Sequence, residues 1–427
     1  MRKASLCAAV VVLSCSCALG QQYKVLYSFL GPSAGDGDEP VARLVADDAG
    51  NLYGTTRLGG SVEAPVCDGY GCGTVFEVSP NNDGAWTERI IYSFCANNTG
   101  YTCPDGAVPM AGLVLDSAGN LYGTTSSGGS EPCPTNSIGC GPVFELSPPS
   151  LPGGAWTHTV IYNFCTSYPV CPDGDDPQGD LIFDALGNLY GTTVTGGANA
   201  LGTVFQLTPG PGGWTEAVLY SLCSVRPGSG CKDGALPYAG PSLDSSGNLY
   251  GTTEWGGTKN GYGGGLVYKL SPGQGGWSES VVHAFSDSSY PSAVITFDQK
   301  GNLYTTLGFG ENGVGGAFRT AVDGGKSYYL PYNNSDGTVP GSGLLIDPTN
   351  NRLYGTTTSG ADGYGSVLMI AGKSISVLHS FLGGPDGANP GAAVVADRSR
   401  HLYGTTAQGG TGNGYAGCCG VVFEVTP

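Results

Sequence analysis

The chain repeats one short phrase, and this repeat restricts its fold more than any other feature. GNLYGTT begins at Gly50, Gly119, Gly187 and Gly247. Aligning the Leu-Tyr pair gives seven copies, whose tyrosines are Tyr53, Tyr122, Tyr190, Tyr250, Tyr304, Tyr354 and Tyr403. The spacing between copies falls from 69 to 49 residues along the chain. A period of this size indicates a solenoid, a propeller or another array of small units.

Each unit reads as four short β-strands. An apolar run that ends in Asp, such as AGLVLDS from Ala111, is the first strand, and a D-x-x-G-N turn follows it. Glycine supplies the positive φ that such a hairpin turn requires. LYGTT is the second strand, GTVFEVS from Gly73 is typical of the third, and WTERIIYSF from Trp86 is typical of the fourth. With 75 glycines and only 12% charged residues, the composition fits many short strands joined by tight turns.

The two ends of the repeat region complement each other. The segment YKVLYSF, residues 23–29, reads as a fourth strand with no first three before it. GVVFEVT from Gly420 reads as a third strand with no fourth after it. A ring needs this arrangement, because joining the two segments leaves no open sheet edge. The sequence therefore predicts an all-β, seven-bladed β-propeller of four-stranded blades, closed by the N-terminal strand 23–29.

The first twenty residues differ from the rest. Arg2 and Lys3 precede an apolar stretch over residues 4–18, and Ala-Leu-Gly then offers a cleavage site before Gln21. This pattern predicts a secretory signal peptide. A lipidated start at Cys15 is the lesser alternative.

The sequence thus divides into a signal peptide, residues 1–20, and a propeller, residues 21–427. We expect the protein to be secreted, periplasmic or on the cell surface. No later run approaches the ~18 apolar residues of a membrane span. The net charge of −17 disfavours nucleic acid as a partner.

The phrase D-x-x-G-N-L-Y-G-T-T, followed by G-T-V-F-x-L, resembles the GloVer-type tandem repeats of exported bacterial proteins. Members of that family are called choice-of-anchor proteins because they often end in different surface anchors. The resemblance covers residues 23–427 and implies export, but no established activity. This sequence stops at Pro427 without an anchor, so we expect free secretion.

Propeller topology places the loops between fourth and first strands (4–1 loops) and those between second and third strands (2–3 loops) on one face. Six aspartates precede first strands in a D-G-x-x-P pattern: Asp36, Asp105, Asp173, Asp233, Asp336 and Asp386. Carboxylates around the channel mouth would suit Ca²⁺, which prefers several oxygen ligands. Alternatively, each Asp caps its own turn, and its repetition in nearly every blade favours that interpretation.

Twelve cysteines lie outside the signal peptide, and an even number in an exported protein favours disulfides. Local pairing gives Cys67–Cys72, Cys95–Cys103, Cys133–Cys140, Cys165–Cys171 and Cys223–Cys231. Cys418 and Cys419 are adjacent and are either bridged or free. No histidine lies near these pairs, which disfavours zinc.

An Asp/Asn-Gly-Tyr phrase places a tyrosine in four 2–3 loops: Tyr70, Tyr262, Tyr364 and Tyr415. Trp255 lies in another such loop. Exposed aromatic rings on one face would stack on sugars. Alternatively, they pack the glycine-rich loops onto the blades.

Only four histidines occur, and they are too scattered for a catalytic triad or a metal cluster. The leading hypothesis is therefore a monomeric, non-catalytic binding module for a polysaccharide or a surface protein. One alternative is a glycan lyase or hydrolase with an Asp-lined central site. The other is a structural protein of the cell envelope.

Overall fold

The computed structural model describes residues 22–61, 65–96, 102–133, 138–151, 153–226, 228, 230–257, 263–286, 289–310, 314–323, 325–333, 335–341, 343–360, 363–412 and 419–427. Within these residues the β-strands form seven antiparallel blades, each of which holds one repeat, and one separate two-stranded ribbon. We number these blades 1 to 7 by the order of their LYGTT-type strands.

Blades 1 to 4 each contain four strands that pair in chain order. The strands of blade 1 are Val45–Ala46, Leu52–Thr56, Thr74–Pro80 and Trp86–Ser93. Those of blade 2 are Val114–Leu115, Leu121–Thr124, Pro142–Ser147 and Thr157–Asn163. Those of blade 3 are Ile182–Phe183, Leu189–Thr193, Thr203–Gly210 and Gly213–Ser221. Those of blade 4 are Ser242–Leu243, Leu249–Thr253, Leu266–Gly273 and Gly276–Ala284.

Blades 5 and 6 repeat the pattern with small departures. The strands of blade 5 are Thr296–Phe297, Asn302–Leu307, Gly316–Ala321 and Tyr328–Pro331. Those of blade 6 are Leu345–Ile346, Leu353–Ser359, Ser366–Ala371 and Ser374–Ser380, and Val339–Pro340 also pairs with its second strand. A two-stranded ribbon, Gly37–Asp38 with Leu58–Gly59, and the 3₁₀ turns Pro32–Ala34, Pro65–Cys67 and Gly384–Asp386 lie in loops.

Blade 7 joins the two ends of the chain. Its first three strands are Val395–Ala396, Leu402–Thr406 and Val421–Thr426, and its fourth is Gln22–Ser28. Gln22–Ser28 runs antiparallel to Val421–Thr426. Phe29 follows this strand and donates its backbone N–H to the carbonyl of Gly420 at 3.1 Å. The predicted seven-bladed propeller and its closure by the N-terminal strand are confirmed.

The repeated phrase packs neighbouring blades together. Leu52 and its counterparts are buried, and Thr55 donates its hydroxyl to the carbonyl of Ala111 in the next blade at 2.9 Å. The same bond crosses the closure, where Thr405 donates to the carbonyl of Ala42 at 3.3 Å. A Cβ at Gly54 would lie 2.5 Å from the ring of Phe76, so a side chain does not fit there. The repeated phrase therefore has a structural role, namely the packing of one blade against the next.

The tyrosine of the phrase connects the turn to the next blade. The hydroxyl of Tyr53 donates to Oδ2 of Asp47, in the D-x-x-G-N turn before it, at 3.2 Å. Its ring packs edge-on against Trp156 of blade 2, with centroids 5.9 Å apart. Tyr122 with Trp214 and Tyr190 with Trp277 repeat this contact.

Within the described residues, no helix has the length and apolar character needed to cross a membrane.

Candidate functional site

The face that carries the 4–1 and 2–3 loops, here called the loop face, holds every strongly exposed aromatic side chain among the described residues. These are Tyr70, Tyr168, Trp255, Phe309 and Tyr364, with exposed fractions from 45% to 58%. The opposite face, here called the turn face, carries the 1–2 and 3–4 turns. Its exposed large apolar side chains in the described chain are Leu151 and Leu186. Exposed apolar surface is thus concentrated on one face.

Three of these rings were predicted as ligand contacts, namely Tyr70, Trp255 and Tyr364. Tyr262 and Tyr415 lie outside the described residues. The prediction missed Tyr168 and Phe309. Phe309 follows the repeat tyrosine of its blade by five residues, as Trp255 does, so the repeat alignment contained the signal.

A depression of about 560 Å³ lies at the centre of the loop face. Every blade contributes to its wall, through Arg43, Met110, Asp180, Tyr238, Val294, Gly341 and Gly391 in turn. Phe309 and Glu254 also line it. The site is therefore axial and is built from the segments that lead into the first strands.

An ion pair bridges two walls of this depression. Nη2 of Arg43 lies 3.4 Å from Oδ2 of Asp180. Oδ1 of Asp180 also accepts the backbone N–H of Gly112 at 2.7 Å. Burial raises the pKa of the Glu254 carboxyl, and burial together with Glu254 raises that of the Tyr238 hydroxyl. The floor thus combines fixed hydrogen-bonding groups with aromatic rings.

A second cleft, of about 440 Å³, adjoins Tyr70. Arg57 and Glu39 line it and form an ion pair at 2.9 Å. Ile138, from the 2–3 loop of blade 2, forms part of the opposite wall. The cleft thus places an exposed aromatic ring beside planar hydrogen-bonding groups.

The six predicted metal-binding aspartates take part in local capping. Oδ2 of Asp36 accepts the hydroxyl of Tyr27 at 2.8 Å and the N–H of Leu30 at 2.7 Å. The tyrosine bond recurs at Asp105, Asp173 and Asp233, and His379 replaces the tyrosine at Asp386. These tyrosines lie on fourth strands, at the edge of each blade away from the axis.

None of the six aspartates lines the central depression. In the described part of the chain, sets of three potential ligand atoms within 4.8 Å of one another consist of cysteines, with Asp175 in one set. These cysteines are disulfide-bonded. The geometry matches the capping interpretation, and Ca²⁺ binding by the six aspartates stays a prediction.

All five predicted local disulfides are present: Cys67–Cys72, Cys95–Cys103, Cys133–Cys140, Cys165–Cys171 and Cys223–Cys231. Each lies in a loop of the loop face. Sγ of Cys72 is 3.9 Å from Sγ of Cys103, so two bridges from different loops are in contact. Cys419 is also disulfide-bonded, and Cys418 lies outside the described residues.

Buried acids recur where fourth strands of adjacent blades meet, a feature that the sequence reasoning missed. Burial and the nearby Asp36 raise the pKa of Glu88 to about 8. Glu216 and Glu279 hold the same position in blades 3 and 4, and burial with a neighbouring Asp raises their pKa to about 7. In blade 2 the position holds His158, which stacks on Tyr92 at 4.3 Å. Burial lowers its pKa to about 4.

The histidines are dispersed as the sequence indicated. His158, His283 and His379 lie on fourth strands. His401 lies in a 1–2 turn beside Asp397 and Glu424. Each occupies a different blade, and none lines the central depression.

A family model described as the Gloeobacter/Verrucomicrobia repeat matches residues 70–306 and 134–368. No curated protein matches the chain.

Among solved structures, a putative 6-phosphogluconolactonase from Bacteroides uniformis is 13% identical, with a TM-score of 0.46, over 80% of this chain and 84% of that one. A protein of unknown function from Dyadobacter fermentans is 12% identical, with a TM-score of 0.45, over 96% and 100%. A putative glucose dehydrogenase from Thermus thermophilus is 15% identical, with a TM-score of 0.42, over 95% and 100%. Likenesses at this level do not bear on function.

Proposed function

The chain belongs to the Gloeobacter/Verrucomicrobia repeat family. We propose that it is an exported, non-catalytic module that binds polysaccharide through its loop face. A surface protein is the second ligand class that fits this face. One observation carries the proposal: the exposed aromatic rings of the described chain all lie on the loop face. Exposed apolar surface gathered on one side marks an interaction site.

The chemistry of these rings favours sugars. Tyr and Trp offer a flat apolar surface with a polar edge, which suits the C–H face and hydroxyl rim of a pyranose. The ion pair of Arg57 and Glu39 beside Tyr70 adds planar hydrogen-bonding groups. The net charge of −17 favours a neutral polymer over an acidic one at this face.

The disulfides support binding by preformed loops. Five bridges close loops of the loop face, which limits the entropy that those loops lose when a ligand binds. Loops held on a rigid scaffold are the usual location of binding residues.

The test is a glycan array probed with the wild type and with a Tyr70→Ala/Trp255→Ala/Tyr364→Ala variant. Each ring contributes roughly 0.5–1.5 kcal/mol to stacking, so we expect at least a ~10-fold loss of affinity. The matched control is Leu151→Ala/Leu186→Ala, which removes exposed apolar side chains from the turn face and should bind like the wild type. Unchanged binding by the triple variant would reject these rings as the site.

Two further measurements separate the alternatives. Incubation with polysaccharide mixtures, with and without chelator, should release no products, and released products would support the enzyme alternative. Retention in the envelope fraction without any glycan binding would support the structural alternative.

N-terminal sequencing of exported protein tests the signal peptide, and the mature sequence should begin at Gln21.

A further inference from the structure

A cleft between blades 5 and 6 on the turn face collects an unusual share of the positive charge. Its volume is about 650 Å³. Five cationic side chains line it: Lys300, Arg319, Lys326, Arg352 and Lys373. The whole chain has only 17 Lys and Arg residues and a net charge of −17. A cleft of opposite sign to the rest of the molecule concentrates anions at that point.

The cations of this basic cleft are not neutralised by neighbouring acids. Within the described chain, the ion pairs formed by Lys and Arg involve other residues. Asp298 is the one carboxylate among the described residues of the wall. Its oxygens accept bonds from Lys300 N–H, from Asn302 and from the hydroxyl of Tyr304, so the turn occupies them.

Aromatic rings hold two of the cations in place. The guanidinium of Arg319 lies over Tyr304 at 5.9 Å, and Nζ of Lys373 lies over Tyr328 at 5.1 Å. A ring face attracts a cation through the negative charge of its π-system. Nε of Arg319 is buried and has no hydrogen-bond partner among the described residues. A buried donor of this kind is costly unless an acceptor arrives.

Two departures from the repeat create the cleft. Arg319 pairs across the sheet with Tyr304, a position that Glu77 holds opposite Tyr53. In blade 6 the position of the repeat tryptophan holds Lys373. The interface of blades 5 and 6 therefore has a cation opposite its repeat tyrosine and a second cation in place of the packing ring. Blade 4 shares the first of these departures, because its Tyr250 pairs with Lys269.

The matching cleft between blades 2 and 3 provides a comparison. It contains Trp214, which packs on Tyr122, together with Asp116 and Asp184, and its wall contains no Lys or Arg. The basic character thus belongs to the interface of blades 5 and 6, and is not a general property of the fold.

We propose that the basic cleft binds a small organic anion that bears a carboxylate, a sulfate ester or a phosphate ester group. Its volume lies within the roughly 300–1,000 Å³ typical of small-molecule sites. Leu330 and Ile370 add apolar wall for the body of the ligand. Arg and Lys form strong charge-assisted hydrogen bonds with these groups. The site lies on the turn face and is independent of polysaccharide binding at the loop face.

The experiment is isothermal titration calorimetry of the full propeller with galacturonate, glucose 6-sulfate and glucose 6-phosphate. Glucose is the neutral control, and inorganic sulfate tests the anion alone. We expect at least one sugar anion to bind, glucose not to bind, and affinity to fall as salt is raised. Which of the three binds most tightly identifies the oxyanion. The proposal would be overturned if none of the anions bound, or if glucose bound as tightly as the sugar anions.

Variants locate the site. Arg319→Gln/Lys373→Gln should lower affinity at least ~10-fold, since it removes two charge-assisted hydrogen-bond donors from the cleft. Lys269→Gln is the matched control, because Lys269 lies over Tyr250 at 5.6 Å in blade 4 but outside the cleft. Lys326→Gln alters only an exposed turn and should also weaken binding, about threefold, without affecting folding. Wild-type affinity in both cleft variants would contradict the assignment.

Discussion

Gly123 illustrates how closely the repeated phrase is packed at the scale of one residue. A Cβ there would lie 2.7 Å from the ring of Phe144 and 2.9 Å from Leu113. Gly123→Ala should therefore lower the free energy of unfolding by about 1–3 kcal/mol, as overpacking does. Gly275→Ala is the control, since its Cβ would meet nothing within 4 Å. Urea denaturation of both variants measures this, and equal stability would refute the packing account.

Glu88 gives a pH prediction. Burial and Asp36 raise its pKa from 4.5 to about 8 in the folded protein. The folded state then holds this proton more tightly than the unfolded state does, so the stability it contributes is complete below about pH 4.5 and is lost as pH rises through about 8. Glu88→Gln should melt like the wild type near pH 4 and at a higher temperature near pH 9.

The control for Glu88→Gln is Asp83→Asn, which removes one negative charge from an exposed turn. Thermal melts of this control should follow the wild type at both pH values. If Glu88→Gln and the wild type lose stability in parallel between pH 4 and pH 9, the Glu88 carboxyl is not the titrating group.

Much of this residue-level detail was readable from the sequence. Gly and Pro in D-G-x-x-P predicted capped turns, and the tyrosine of LYGTT predicted inter-blade packing. The acid at the position of Glu88 was not predicted, because its neighbour Asp36 is distant along the chain. Packing between the fourth strands of adjacent blades brings these carboxyls together, as it does for Glu216 with Asp173 and for Glu279 with Asp233.

At the scale of elements, the disulfide Cys223–Cys231 closes a 4–1 loop between blades 3 and 4. The loop-entropy model assigns a bridge of this length about 2–3 kcal/mol. Cys223→Ala/Cys231→Ala should lose that amount of unfolding free energy in urea. The same double replacement at Cys133 and Cys140, in a 2–3 loop, should have a similar effect, and no loss in either variant would contradict the entropic account.

Strand boundaries were the least predictable elements. The apolar run from Ala111 suggests a longer first strand than the observed Val114–Leu115. The carbonyl of Ala111 accepts the hydroxyl of Thr55 from the neighbouring blade instead of joining the sheet ladder. Contacts between blades therefore replace strand pairing near the axis, and local propensity contains no information about them.

At the scale of the whole molecule, the sequence predicted the number of blades and the two faces. It did not reveal the basic cleft, because Lys300 and Lys373 are far apart in the sequence and meet only where blades 5 and 6 touch. It also placed the aspartate ring at the channel mouth, whereas the central depression is lined by other residues such as Asp180 and Arg43.

The N-terminal strand contacts both neighbouring blades. Tyr23 stacks on His379 of blade 6 with centroids 3.7 Å apart, and its hydroxyl donates to the carbonyl of Asp386 at 2.5 Å. Lys24 donates to the carbonyl of Gly84 in blade 1 at 2.9 Å. Losing this strand would expose the edge of Val421–Thr426 and would remove the buried side chain of Leu26 from the core. Ring closure therefore contributes to the stability of three blades.

Thermal denaturation of a chain that lacks Gln22–Ser28, compared with one that begins at Gln21, tests ring closure most directly. Burial of apolar side chains contributes roughly 1.5–3 kcal/mol each, so the shortened chain should melt at least ~5 °C lower. Adding a peptide of sequence QYKVLYS should restore part of the difference. Identical melting of the two chains would contradict a propeller closed by its own N-terminus.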